Sequence, residues 1–365
     1  FQWKGGSPVH IIDKLLPQEG AEKKRTLWIT LKDSQGALLA ISNLLVLKQD
    51  PPFLHFWGDI HGQSEETIGS NPAELYFKFA RNYAFLDVMG HQGNDFQITK
   101  DFWHHINQLS EDFNDPGNFI TLCGYEYSAN TALGGDRNVY FLHPFRTIHR
   151  SSHELIPDED DLNTDCLTAT DLFETLLEDN PDAYDVVAVV AHAGGRYSDI
   201  KTHHDGTLEH YVEIHSSWGA FEWLLQDAFE MSYRVGITAN GDGHRGRPGV
   251  VYPGTSKFGT LGGLTCYLAP ELTRKAIFKA IKSRHHYATT GERIYLNVQG
   301  NLNFEGRRYE RDPSVYPEHL HASQPCHVAQ MGDIIQVPTS LGNKIEFSLE
   351  TEIHANGPIE RIEIF

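Results

Sequence analysis

The chain has 365 residues, 40% of them hydrophobic, which is enough for one large core with something smaller beside it. Its formal charge of −19 at pH 7 argues against nucleic acid as a partner and against docking on anionic membranes, since both need an excess of Lys and Arg. No run of about 18 apolar residues is present, so no membrane-spanning helix is expected.

The first 52 residues read as β structure. Arg25 to Lys32, a turn at Asp33-Ser-Gln-Gly36 and Ala37 to Ile41 form a hairpin pattern, and Asn43 to Leu47 adds a strand before Pro51-Pro52. The apolar run Phe53 to Trp57 then ends in Asp59-Ile-His61-Gly-Gln63-Ser64. Two polar side chains two residues apart on a strand point the same way. Asn71-Pro72-Ala73-Glu74 carries the signals of a helix start, and Leu75, Phe79 and Tyr83 lie four apart on one face of the helix that follows.

The same design then repeats. Ala84 to Met89 leads to His91, Phe119 to Tyr125 to Glu126, and Asn138 to Leu142 to His143. A helix is expected over 99–113. After a polar excursion over 147–167 and a helix opened by Asp171 and Glu174, the apolar run Val186 to Ala191 ends at His192. Tyr211 to Ile214 leads to His215, and Val235 to Ala239 leads to Asp242 and His244. Gly262 to Leu268 is a further strand and Thr273 to Ser283 a basic-faced helix. From about residue 300 the pattern becomes alternating. Lys344 to Ile353, Asn356-Gly357 and Ile359 to Phe365 read as a hairpin, expected to share one β layer with the N-terminal segment.

Apolar strands alternating with helices indicate a parallel sheet covered by helices. Polar residues gathering after one strand end after another favour a β/α barrel, whose active groups collect on that face. A doubly wound open sheet is the alternative; it would place a site at a single switch point. Three parts are expected: 1–52 β-rich, 53–298 a barrel, and 299–365 β-rich. The 21 His and the strand-end carboxylates suit Zn, Mn or Fe. The four Cys form no CxxC pair, so a structural zinc knot is not expected.

These residues also carry a resemblance. Phe56-Trp-Gly-Asp-Ile-His-Gly-Gln-Ser64, Gly124-Tyr-Glu-Tyr127, Gly134-Gly-Asp-Arg-Asn-Val-Tyr140, His192-Ala-Gly-Gly195, Gly241-Asp-Gly-His-Arg-Gly-Arg-Pro-Gly249, Gly262-Gly-Leu-Thr265 and Tyr287-Ala-Thr-Thr-Gly-Glu-Arg293 resemble the PHP (polymerase and histidinol phosphatase) superfamily, specifically its DUF3604 branch. The resemblance runs from about 55 to 298. It implies a distorted (β/α)7 barrel, two or three divalent ions (Zn, Mn or Fe) and metal-dependent hydrolysis, commonly of phosphoesters. By position it marks His61, His91, Glu126, His192, Asp242 and His244 as ligands, with Asp59 or Asp87 a substitute where charge is missing. Two departures stand out: Gln63 replaces the second His of a His-x-His pair, and Gly90 replaces an Asp before His91.

The expected chemistry is attack by a metal-bridged hydroxide, with Glu126 as the bridging carboxylate. His215 or His244 is expected to protonate the leaving group, and Arg196, Arg245 and Arg247 to clamp a small anionic substrate. Hydrolysis of an amide or ester, or a barrel that binds without chemistry, are the rival readings. A leader removed before Phe1 would imply a periplasmic or secreted location.

Overall fold

A computed structural model of the chain describes residues 26–48, 50–194, 196–253, 259–317, 323–342 and 345–364. Strand β1 (Thr26–Leu27) pairs with β4 (Leu45–Val46), and β2 (Thr30–Lys32) forms the expected hairpin with β3 (Leu38–Ile41). Arg25 and the residues before it lie outside the described part.

The central sheet holds β5 (Leu54–Asp59), β6 (Val88–Gly90), β7 (Ile120–Ser128), β8 (Asp136–Phe141), β9 (Val187–Ala191), β10 (Tyr211–Ser216), β11 (Gly219–Ala220), β12 (Gly236–Ala239), β13 (Leu264–Ala269) and β14 (His286–Thr289). Its order is β11-β10-β9-β8-β7-β6-β5-β13-β14, with β12 on the other edge of β10. The sheet curls, so that β12 returns against β13 and β14. There the Ala239 amide donates to Thr265 Oγ1 at 3.1 Å, and His286 Nδ1 bonds the Ile237 carbonyl at 2.8 Å.

The sheet is mixed, which corrects the expectation of parallel strands throughout. β5/β6, β6/β7, β9/β10 and β10/β12 are parallel, while β8 runs antiparallel to both neighbours and β13 antiparallel to β5 and β14. Nor does a helix follow every strand, so the regular (β/α)7 alternation is only partly present. The helices are α1 (Ala73–Asn82), α2 (Lys100–Phe113), α3 (Ala169–Asp179), α4 (Ala183–Val186), α5 (Glu222–Glu230) and α6 (Arg274–Lys282). Connections β7–β8 and β9–β10 carry no α-helix.

Local chemistry explains the helices. Thr99 accepts from the Phe102 amide to cap α2, and Phe102, Trp103, Ile106, Leu109 and Phe113 recur at helical spacing and bury against the sheet. Thr168 and Asp171 form a reciprocal capping box on α3. In α1 the buried face is Ala73, Tyr76, Phe77 and Ala80. Leu75 and Tyr83 are 49% and 69% exposed, so the expected Leu75–Phe79–Tyr83 face points outward. Asn71 does not cap this helix either; the Glu66 carboxylate accepts from the Ala73 amide instead. Each fully buried large apolar side chain contributes about 1.5–3 kcal/mol.

A four-stranded sheet follows, with β15 (Tyr295–Tyr309) pairing β16 (Ser323–Gln330), β17 (Ile334–Gln336) and β18 (Phe347–His354). β18 pairs with β15 along Tyr295↔His354 to Leu302↔Phe347. The expected Asn356-Gly357 hairpin is absent: 356–364 is irregular, Pro358 has no N–H to give a ladder, and β15 takes the edge of β18. The terminal segments form separate sheets rather than one layer, linked by a Lys48–Glu352 ion pair. Among the described residues no helix is long and apolar enough to cross a membrane.

Candidate metal centre

The curl brings the polar end of β5 against the loop after β12. Gly62 and Gly243 form a parallel bridge, the Asp242 amide donates to the His61 carbonyl at 2.8 Å, and the Gln63 amide donates to the Gly243 carbonyl at 3.0 Å. His61 and Asp242, 181 positions apart in the sequence, are thereby fixed side by side.

Around them lies a buried cluster. His61 Nε2 is 3.4 Å from Asp242 Oδ1 and 3.6 Å from Glu126 Oε2. His192 Nε2 is 3.4 Å from Glu126 Oε1, and His244 Nε2 is 3.4 Å from Asp242 Oδ1. Two sets have ligand atoms within 4.8 Å of one another: His61, His192 and Asp242, and Glu126, Asp136 and His192. Around an ion with bonds of about 2.1 Å, tetrahedral ligands are about 3.4 Å apart, so these separations suit a small divalent ion. His61 Nε2, both ring nitrogens of His192 and Asp136 Oδ1 are buried with no hydrogen-bond partner. Buried polar atoms are normally paired, so an unpaired group turned inward fits a cation.

The electrostatics agree. Burial works against charge on His61, yet the Asp242 and Glu213 carboxylates overcome it and lift the imidazole well above its ordinary value. Burial likewise opposes ionisation of Glu126, but His192 and His61 hold its carboxyl well below the usual range. His61 and His244 do the same for Asp242. Burial, with the Glu126 charge beside it, pushes Asp136 up to about 7. Protonated imidazoles thus balance the carboxylates. A divalent ion would supply that positive charge and free the ring nitrogens as donors.

A supporting layer orients these groups. Both Glu213 oxygens lie 3.1–3.2 Å from His61 Nδ1, and Asn240 Nδ2 donates to Glu213 at 2.6 Å. A carboxylate on Nδ1 leaves Nε2 facing the centre, the arrangement seen behind metal-bound His. Gly194 lets the loop after β9 approach: a Cβ there would lie 2.9 Å from Asp242 Oδ2 and 3.0 Å from His192 Cε1.

Several expected residues are placed elsewhere. Asp59 is buried, but its carboxylate accepts from the Gly241 and Gly249 amides at 2.8 and 2.7 Å, and burial pushes it up to about 6. It ties the loop after β12 to β5. Among the described residues His91 belongs to neither ligand set. Its Nε2 bonds Ser64 Oγ at 2.8 Å, and burial pushes it down to about 4. His215 Nε2 bonds the Leu261 carbonyl at 3.0 Å, away from the cluster. Arg245 and Arg247 are exposed. His143 is exposed at the far end of β8, because that strand runs backwards. Arg196 does reach the rim, 3.7 Å from Asp136 Oδ1 and donating to the Ser128 and Ala129 carbonyls.

The reversed β8 also supplies what sequence reasoning missed. Its first residues, Asp136 and Asn138, meet the ends of the parallel strands. The available signal was Asp-x-Asn before an apolar run, the mirror image of Asp-x-His after one. Gly90, the other departure, is dictated by packing: a Cβ would lie 2.7 Å from the Ile60 carbonyl oxygen.

Comparison with known proteins places this geometry. The family model described as "Protein of unknown function (DUF3604)" matches residues 48–198 and 233–332. An uncharacterized protein of Chlamydia pneumoniae is 25% identical over 272 residues, covering 66% of this chain and 40% of the relative. One from Chlamydia trachomatis is 24% identical over 264 residues, covering 67% and 40%. The chain thus spans about two fifths of the length of these relatives. Among solved structures, a two-domain protein of Bacteroides vulgatus, described as containing a predicted PHP-like metal-dependent phosphoesterase, is similar with a TM-score of 0.44 and 10% identity, covering 84% of this chain and 88% of that one. An endonuclease Q complex with a 27-mer duplex carrying an abasic lesion at its active site has a TM-score of 0.41 and 14% identity, covering 63% and 57%. PfuEndoQ, a lesion-specific endonuclease from Pyrococcus furiosus, has a TM-score of 0.39 and 15% identity, covering 63% and 56%.

The expectation of a small anionic substrate with nucleic acid excluded is corrected: the acidic net charge does not exclude nucleic acid from the site. Net charge sums over the whole surface, whereas a divalent ion is the largest charge within its own site and attracts phosphate there. Through residues 48–198 and 233–332, most of its length, the chain belongs to the DUF3604 family.

Proposed function

We propose that this chain is a metal-dependent hydrolase of phosphoesters. The observation that carries the reading is the convergence of buried, unpaired ligand atoms from His61, His192 and Asp136 on the Glu126 and Asp242 carboxylates. The run of motifs that resembles the PHP superfamily supports phosphorus as the electrophile. His61, Glu126, His192 and Asp242 are the residues that would hold the ion, with Asp136 beside them. When bound, a divalent ion supplies Lewis acidity toward a phosphoryl oxygen and lowers the pKa of water.

The chain's own groups do the rest. Glu213 and Asn240 fix the His61 ring. Asp59 and the Gly62–Gly243 bridge hold the two ligand loops together. Arg196, at the rim beside Asp136, is placed to meet a phosphoryl oxygen with its guanidinium. His244, next to Asp242, is the group positioned to pass a proton to a leaving oxygen; His215 is engaged elsewhere.

The test loads purified protein with Mn2+, Zn2+ or Fe2+ and assays phosphomonoesters, phosphodiesters (abasic DNA included) and amides. Turnover of a phosphoester that disappears in Asp242→Asn is expected. Turnover of amides alone, or none with any ion despite full loading, would overturn the reading.

A further inference from the structure

Gln63 is 1% exposed and every polar atom of its amide is engaged. Nε2 donates to Glu126 Oε2 and to Asn94 Oδ1, both at 2.9 Å, and Oε1 accepts from Thr67 Oγ1 at 2.6 Å. Asn94 is held in turn, its Nδ2 donating to Ser128 Oγ at 2.7 Å. Glu126 and Asn94 therefore fix which end of the Gln63 amide faces the carboxylate: turning it over would set acceptor against acceptor at both Glu126 Oε2 and Asn94 Oδ1, while the Thr67 hydroxyl can serve either end.

The two Glu126 oxygens thus have different surroundings. Oε1 faces His192 Nε2 at 3.4 Å, in the set that includes Asp136. Oε2 receives the Gln63 amide hydrogen at 2.9 Å and lies 3.6 Å from His61 Nε2. A bridging carboxylate needs a cation on each oxygen, and a cation on Oε2 would lie about 2.1 Å from it, on the side where the Gln63 amide group stands. That amide presents its positive end to the carboxylate, carries no net charge, and its nitrogen, the atom facing Glu126, has no lone pair to offer a metal.

We propose that Gln63 takes the place a second cation would need on Glu126, so that Glu126 is a terminal ligand through Oε1 and the centre is mononuclear at this carboxylate. This rests on the metal-centre reading above and deepens it. Gln63 acts through Glu126; it is a positioning residue that sets how many ions the centre holds. Replacing its amide by a group with a lone pair or a negative charge then turns the same space into a ligand position, facing Glu126 Oε2.

The experiment compares the whole chain with Gln63→Glu, Gln63→His and Gln63→Met, each loaded with Mn2+ and dialysed. Bound metal is measured by elemental analysis, and Mn2+ EPR distinguishes an isolated ion from an exchange-coupled pair. Circular dichroism confirms the fold of each variant. Gln63→Glu and Gln63→His are expected to bind one equivalent more than the parent and to show the broadened spectrum of a pair. Gln63→Met, with neither donor nor strong ligand, is expected to match the parent in stoichiometry. A parent that already shows a coupled pair would overturn the proposal. So would folded Glu and His variants with unchanged stoichiometry, or a Met variant that loses an equivalent, since Gln63 would then itself be a ligand. A parent that binds no divalent ion would bring down the metal-centre reading together with this one.

Discussion

Glu213→Gln separates orientation of a ligand from ligation itself. Glu213 is buried; its oxygens lie 3.1 and 3.2 Å from His61 Nδ1, and one also accepts from Asn240 Nδ2 at 2.6 Å. The amide keeps the shape but removes the charge that favours the His61 tautomer with Nε2 bare. It also leaves one oxygen where there were two, so Asn240 and His61 compete for it. Removing such a supporting carboxylate typically costs 10–100-fold in metal affinity, or about 1.4–2.7 kcal/mol. The assay is Mn2+ or Zn2+ titration calorimetry against a competing chelator, with thermal unfolding of the metal-free protein as the fold control. Asp242→Asn, which alters a ligand atom directly, should weaken binding further. A Glu213→Gln protein that keeps its fold and binds metal within about twofold of the parent would refute the reasoning, because His61 would then not be a ligand held by Glu213.

Two further outcomes test the scaffold. Burial pushes His286 down to about 4, whereas an unfolded His titrates near 6.5. Its folded-state pKa is depressed, so the unfolded chain binds the extra proton between those values. The His286 contribution is therefore complete above pH 6.5 and falls by roughly 3 kcal/mol as pH drops to about 4. Urea unfolding across this range should show a shallower loss in His286→Gln, and an identical slope would refute the assignment. Arg137 and Glu209 form a buried ion pair at 2.7 Å, and Arg137 also donates to the Gly134 and Asp136 carbonyls. Arg137→Met should cost about 3–5 kcal/mol, because it leaves the buried Glu209 carboxylate with His204 Nδ1, 2.9 Å from Oε2, in place of a guanidinium; a loss below about 1 kcal/mol by urea unfolding would show that His204 or solvent satisfies Glu209 without Arg137.

What could be read from the sequence was whatever depends on neighbours along the chain. Helix α2, the strand runs, and the habit of ending strands in His or carboxylate all follow from local pattern. His61, Glu126, His192 and Asp242 were found this way. What could not be read was direction and pairing. A short run such as Asn138 to Leu142 looks the same whichever way it runs in a sheet. Taking β8 as parallel selected His143 and overlooked Asp136. Asp59 shows a second limit. Its spacing from His61 indicates a shared face of β5, but only tertiary contact shows that the Gly241 and Gly249 amides already take its oxygens. Helix α1 shows a third: Leu75, Phe79 and Tyr83 satisfy helical spacing as well as Tyr76, Phe77 and Ala80 do, and only the sheet decides which face it covers.

The Gly62–Gly243 bridge has a thermodynamic consequence. It joins the loop after the first strand of the curled sheet to the loop after β12, so His61 and Asp242 meet each other, and Glu126 and His192 from β7 and the end of β9, only once the strands between them are in place. An ion that needs both residues binds the finished ring and finds no comparable site in a partly assembled one. Ligand binding restricted to the native state adds stability as RT ln(1 + [L]/Kd), about 2.7 kcal/mol at a hundredfold excess over Kd. Metal occupancy thereby reports ring closure, and a substitution remote from the centre that loosens any strand between β5 and β12 will register as weaker apparent metal binding.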